Sequence, residues 1–180
     1  MSDALNAASE AQRFPIGRFQ RQAAYSADQR AAHVARIAAQ PQQLSAAMSG
    51  LNATDYATPY RPGGWTVQQL VHHMADSHTN AYIRVKLALT EDTPTIKPYD
   101  QDAWVQLADA ALVSPLVSLT MFTAIHERLV VLLRSLEPAH FARTLVHPEN
   151  GPMSLDQLVA LYAWHGDHHV QHLQRYRESR

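Results

Sequence analysis

The sequence predicts an all-α fold: a four-helix bundle with short extra helices and a small hairpin-like connection before the last helix. Three observations carry this reading. Four stretches place apolar residues three and four apart, which puts them on one face of a helix. The segments between them collect Pro, Gly, Asn and Asp, residues that end helices and form turns. Within the bundle domain, residues 143–153 read as extended, in two short pieces about the Pro148-Glu-Asn-Gly151 turn.

Residues 1–25 are polar, lack sustained periodicity and form an N-terminal arm, partly extended. Within the arm, Phe14-Pro-Ile-Gly-Arg-Phe19 is suited to dock on the domain. The bundle domain occupies 26–180. Ser26 and Asp28 offer N-caps for a helix to about Gly50, with Val34, Ile37, Leu44 and Met48 at helical spacing. Pro41 falls inside it and predicts a kink or a break. Asn52 to Gly64 reads as a loop. Thr66-Val-Gln-Gln69 is a capping box that opens a helix to about Leu89, with Val67, Val71, Met74, His78, Tyr82 and Val85 as its apolar stripe. Glu91 to Asp100 is a linker, and Asp100 or Asp102 can cap a short helix through Trp104 and Leu107. Ser114-Pro115 starts the third long helix, which ends near Leu136. Ser154-Leu-Asp-Gln157 is a second capping box and opens the last helix. The connections 90–114 and 137–153 are long for a simple up-down bundle.

Composition excludes several classes of function. A formal net charge of −1 gives no basic excess for nucleic acid, and zero cysteines rule out disulfides, thiolate metal sites and a thiol nucleophile. No signal-like leader is seen, and no run approaches the roughly 18 apolar residues of a membrane span. A cytoplasmic location and no membrane partner are expected.

The chemistry gathers in Tyr162-Ala-Trp-His-Gly-Asp-His-His-Val-Gln-His172, where His165, His168, His169 and His172 are four of the eleven histidines. His165 and His169 are four apart, so they share a helix face and can close on one ion. His169 lies on the apolar face with Leu155, Leu158, Tyr162 and Leu173, and His165 and His172 lie at its edge. Imidazoles thus stand where hydrophobic side chains should meet a neighbouring helix. Helix carbonyls are already used, whereas neutral imidazole is a good ligand for zinc, nickel or copper. No Glu follows the first His, which excludes the His-Glu-x-x-His protease motif. A third ligand is expected from a neighbouring helix: His72, His73, His78 or His126. Periodicity leaves the choice open, although His78 and His126 fit better as hydrogen-bonded core residues than as ligands.

At these residues the chain resembles the DinB superfamily, and within it the YfiT-like group of metal-dependent hydrolases, which is related to bacillithiol S-transferases. The resemblance rests on Phe14-Pro-Ile-Gly-Arg-Phe19, Pro59-Tyr-Arg-Pro-Gly-Gly-Trp65-Thr-Val, His72-His-Met-Ala-Asp-Ser-His78, Thr93-Pro through Lys97-Pro-Tyr-Asp100, and Tyr162-Ala-Trp-His165-Gly-Asp-His-His169. It implies a four-helix bundle with one divalent ion, usually zinc or nickel, near one end. It also implies ligands His165 and His169 from the last helix. The first ligand follows the Trp-Thr helix start by eight residues, which is His73. Homodimers are common in the family.

Three His ligands leave positions open for water and a small-molecule substrate, as in a catalytic site. The same ligands suit hydrolysis or the transfer of a low-molecular-weight thiol to an electrophile. A non-catalytic metal-binding or stress-response module is the third reading, and the open shell weighs against it. Asp76, Asn80, His126, Tyr162 and His168 are candidates to orient a ligand or move a proton.

Overall fold

The computed structural model describes residues 9–180. Among these residues the helices are α1 Glu10–Arg13, α2 Ala27–Met48, α3 Ala53–Ala57, α4 Val67–Thr90, α5 Gln101–Trp104, α6 Ala108–Leu112, α7 Pro115–Arg134 and α8 Leu155–Ser179. A 3-10 turn, Pro138–Ala142, leads into strands β1 Thr144–His147 and β2 Gly151–Ser154.

Long helices begin where their caps lie. Ser26, Thr66 and Ser154 each accept from the backbone N–H three residues on, and Gln29, Gln69 and Gln157 return the bond. Ser114 caps α7, with Pro115 in the first turn, where its missing N–H costs nothing. Both α2 and α4 pack against α7 and α8. Around the bundle the order is therefore α2, α7, α4, α8, with α2 diagonal to α4 and α7 diagonal to α8. Tight turns cannot join diagonal helices, which accounts for the long connections 49–66 and 135–154.

The expected hairpin is present, with Leu145 paired to Met153 and His147 to Gly151. Gly151 takes φ +72° at the turn, a conformation that glycine adopts without strain. The preceding linker joins it: Val146 N–H donates to Pro94 O at 2.9 Å, and Ile96 N–H donates to Val146 O at 2.9 Å.

Five expectations need correction. α3 lies inside the segment read as a loop, α1 lies inside the arm, and α6 extends the short helical stretch after α5. Helices of four or five residues span too few turns for a period to register. α2 passes through Pro41 without a break. α7 is long and apolar enough, by length and composition, to cross a membrane, against the expectation that no segment is; here it is a bundle helix that buries Ser118, Phe122 and His126.

The arm lies along α8. Trp164 Nε1 donates to Gly17 O at 3.1 Å, and Arg175 donates to Ala11 O and Pro15 O, both at 2.9 Å. The part of the arm at residues 1–8 falls outside the described residues.

The core has two apolar clusters. One holds Ile37, Val85, Leu129, Leu133, Leu155 and Leu158; the other holds Leu44, Leu70, Met74, Phe122 and Leu173. On every bundle helix a polar residue separates the two: Gln40 on α2, His78 on α4, His126 on α7, and His165 with His169 on α8. A polar layer crosses the bundle at this level. Buried polar groups require partners, so the layer must be internally satisfied or hold a ligand.

Candidate metal centre

His73 of α4 faces His165 and His169 of α8. His73 Nε2 stands 3.3 Å from His165 Nε2. The ring centroids of His169 lie 5.1 Å from His73 and 4.5 Å from His165, and one nitrogen from each of the three rings lies within 4.8 Å of the others. Two nitrogens bound to one tetrahedral zinc at about 2.0–2.1 Å are about 3.3–3.4 Å apart, so the spacing fits a divalent ion. Trp65 covers the open side of His73, with its ring 4.7 Å away and its indole N–H donating to Asp102 at 2.8 Å.

Burial keeps these rings neutral. It pushes His73 down to about 4 and His165 and His169 well below the usual imidazole range, with smaller repulsions from neighbouring imidazoles. Neutral rings present lone pairs, the form a metal binds.

His168, His169 and His172 make a second group of three within 4.8 Å, sharing His169 with the first. Among the described residues their buried Nδ1 atoms have no hydrogen-bond partner. The surroundings separate the two groups. Arg61 is close enough to lower both His168 and His172, beyond the larger effect of burial, whereas only burial and other imidazoles act on the first group. The second group thus has a positive charge near two of its rings, which repels a cation.

Among the described residues, cavities open on the cluster from two sides. One, of about 190 Å³, has His165 in its wall with Ser77, Arg84, Tyr99 and Tyr162. The other, of about 380 Å³, is lined by His168, His169 and His172 with Trp65, Arg13 and Arg61. Gln101 lines both. A larger groove of about 570 Å³ between α2 and α7 includes none of the three clustered rings.

Comparison with known proteins gives a consistent result. Residues 36–173 match the DinB superfamily. The chain belongs to the DinB superfamily. A relative from Bacillus mycoides (strain KBAB4), named "Putative metal-dependent hydrolase", is 46% identical over 166 residues, covering 92% of this chain and 95% of the relative. One from Oceanobacillus iheyensis, under the same description, is 48% identical over 134 residues, covering 74% of this chain and 77% of the relative. Among solved structures, YfiT from Bacillus subtilis matches with a TM-score of 0.91 and 38% identity, covering 94% of this chain and 97% of that one. It is described as "a probable metal-dependent hydrolase with an unusual four-helix bundle topology".

Within this DinB-superfamily bundle, the structure distributes the sequence candidates as follows. His72 turns away from the cluster and uses both nitrogens, with Nδ1 2.7 Å from Ser118 Oγ and Nε2 3.1 Å from Val113 O. His78 and His126 are fully enclosed and lie behind His165. His168 stacks on Trp164 at 4.6 Å. His172 Nε2 donates to Gln12 O at 3.0 Å, which ties the arm to α8. Tyr162 accepts from Arg84 at 2.9 Å and packs its ring on His78. Asn80 turns its amide back to Asp76 O at 2.9 Å, within its own helix. Asp76 is half-buried, and burial lifts its carboxyl to about 6, with Asp109 adding to the shift.

Sequence reasoning did not single out Trp65 as a cover for His73, nor Arg84 and Tyr99 as cavity walls. It also missed Gln40, whose Nε2 donates to Ala163 O at 2.9 Å and to Asp167 Oδ1 at 3.0 Å. The one available signal for Gln40 was Gly166, a glycine in mid-helix. A Cβ there would meet the Gln40 side chain at 2.2 Å.

Proposed function

We propose that His73, His165 and His169 hold one divalent ion, zinc or nickel, and that this chain is a metal-dependent hydrolase acting on a small molecule. The observation that carries the reading is the 3.3 Å separation of His73 Nε2 and His165 Nε2, the edge expected of a tetrahedral site, with His169 completing the triangle. Bound there, an ion with three protein ligands supplies Lewis acidity to a carbonyl and lowers the pKa of a coordinated water to about 7.

The chain's own residues supply the remainder. Burial raises the Tyr162 and Tyr99 hydroxyls above the usual phenol range, so both stay protonated and can donate. With Arg84 they form a wall of donors beside His165, suited to an oxygen that gains negative charge. That wall favours hydrolysis of an ester or amide. A metal-dependent thiol transfer draws separate support from the larger cavity, where Arg13 and Arg61 offer cationic groups for an anionic thiol.

Metal analysis of the purified protein and of His73→Ala, His165→Ala and His169→Ala tests the site. About one ion per chain is expected in the parent, and little in each variant. Retention of the ion in all three variants would refute the site. Ester and amide hydrolysis, and thiol conjugation, assayed with and without chelator, then decide the reaction. If the metal is lost with no effect on any of these activities, the non-catalytic module stands instead.

A further inference from the structure

The rings behind His165 are joined in a defined direction. Proline has no N–H, so Pro41 leaves the carbonyl of Ile37, one turn back in α2, without its helical donor. His126 Nδ1 takes that place, 2.8 Å from Ile37 O. A carbonyl oxygen only accepts, so the proton is on His126 Nδ1 and its Nε2 is bare. His126 Nε2 stands 2.9 Å from His78 Nδ1, which must then carry the proton and donate. His78 Nε2 is left bare in turn, 3.2 Å from His165 Nδ1, which donates to it. His165 Nε2 is therefore the unprotonated nitrogen, and it is the atom that faces His73.

We infer that Pro41, the Ile37 carbonyl, His126 and His78 form a positioning relay that fixes His165 in the tautomer whose Nε2 lone pair points at the metal. The metal half of this statement rests on the site proposed above. No reversed sequence of bonds is available, because the chain ends on an oxygen that cannot donate. Both inner rings are buried and packed, although His126 also borders the groove between α2 and α7. His78 and His126 are 0% and 1% exposed, and Phe122 packs on both with centroids 4.8 and 4.0 Å away. The relay also explains why α2 tolerates a proline in mid-helix: the lost bond is replaced from α7. His78 and His126 are positioning residues, acting on the ion only through His165. Groups that orient a metal ligand in this way are typically worth 10–100-fold in metal affinity.

Long-range nitrogen–proton NMR of the metal-free protein at pH 7.5 reads the tautomers directly. His126, His78 and His165 are all expected with the proton on Nδ1. An Nε2–H form of His78 or His165 would overturn the relay. This measurement stands apart from the metal reading, because it decides the relay even if zinc does not bind. Zinc affinity by chelator competition gives the second readout. His126→Phe, which keeps an aromatic ring against Phe122, should weaken zinc by 10–100-fold and turn His165 into a mixture of tautomers. Pro41→Ala keeps every ring but returns a competing N–H to Ile37 O, and should produce the same changes in weaker form in a helix that folds at least as well. Unchanged tautomers and zinc affinity in Pro41→Ala, together with unchanged zinc affinity in a folded His126→Phe, would reduce the chain to ordinary core packing.

Discussion

Asp76 shows how a single group can carry a cost that the rest of the fold absorbs. Its carboxyl is lifted to about 6 by burial, with a contribution from Asp109, above the value near 3.8 of an unfolded chain. The folded state therefore binds more protons between about pH 4 and 6, and stability falls as pH rises through that window. Asp76→Asn should raise the melting temperature at pH 7 by roughly 2–4 °C, with the gain fading by pH 4. A lower melting temperature at pH 7 would mean that the carboxylate has a stabilising partner. At this scale the His165 and His169 pair was legible, because four residues make about one helical turn. Periodicity left the choice between His72 and His73 open, and it was the family resemblance that pointed to His73. Neighbouring residues point about 100° apart, and only the packing of α4 on α8 and α7 decides which ring meets which helix.

Gly166 and the capping boxes show the same division for whole elements. Ser154 and Gln157 fix where α8 begins through bonds of 3.0 and 3.2 Å within four residues, so the start was readable from sequence. Gly166, in contrast, matters for what α2 places against it. Gly166→Ala gains roughly 1 kcal/mol of helix propensity, but its Cβ would collide with the enclosed Gln40 side chain. Overpacking of this kind costs about 1–3 kcal/mol, and displacing Gln40 also removes its bonds to Ala163 O and Asp167. A net loss of roughly 1–2 kcal/mol in urea unfolding is expected; a gain would mean that Gln40 yields freely. Pro41 belongs with Gly166. Its effect on its own helix was predictable, but the donor that repairs the helix is His126, 85 residues away.

Across the molecule, the polar layer makes stability depend on pH. Burial depresses His73, His126 and His172 to about 4, His168 to about 3, and His78, His165 and His169 well below the usual range. An unfolded chain protonates these rings near pH 6.5, so it binds more protons than the folded state as acid is added. Their contribution is complete above about pH 6.5 and is lost as pH falls toward 4. The metal-free protein should lose roughly 10 °C or more of melting temperature between pH 7 and 5. Saturating zinc should raise the melting temperature at pH 7, with that gain shrinking as protons compete for the same nitrogens. A flat profile between pH 7 and 5 would contradict the buried, neutral layer.

The sequence by itself determined what local forces settle: four long helices, their capped starts, the hairpin turn and a histidine pair at one-turn spacing. These follow from bonds and periods that span a few residues. It did not determine the four- and five-residue helices, whose patterns are too short to read, or the diagonal order of the long helices. Periodicity left His72 and His73 equal and the family resemblance pointed to His73. The tertiary structure brought that ring beside His165, set Gln40 against Gly166, and linked Pro41 to His165 through two rings. Each of these depends on which faces of distant helices meet, and helix periodicity leaves that free until the core packs.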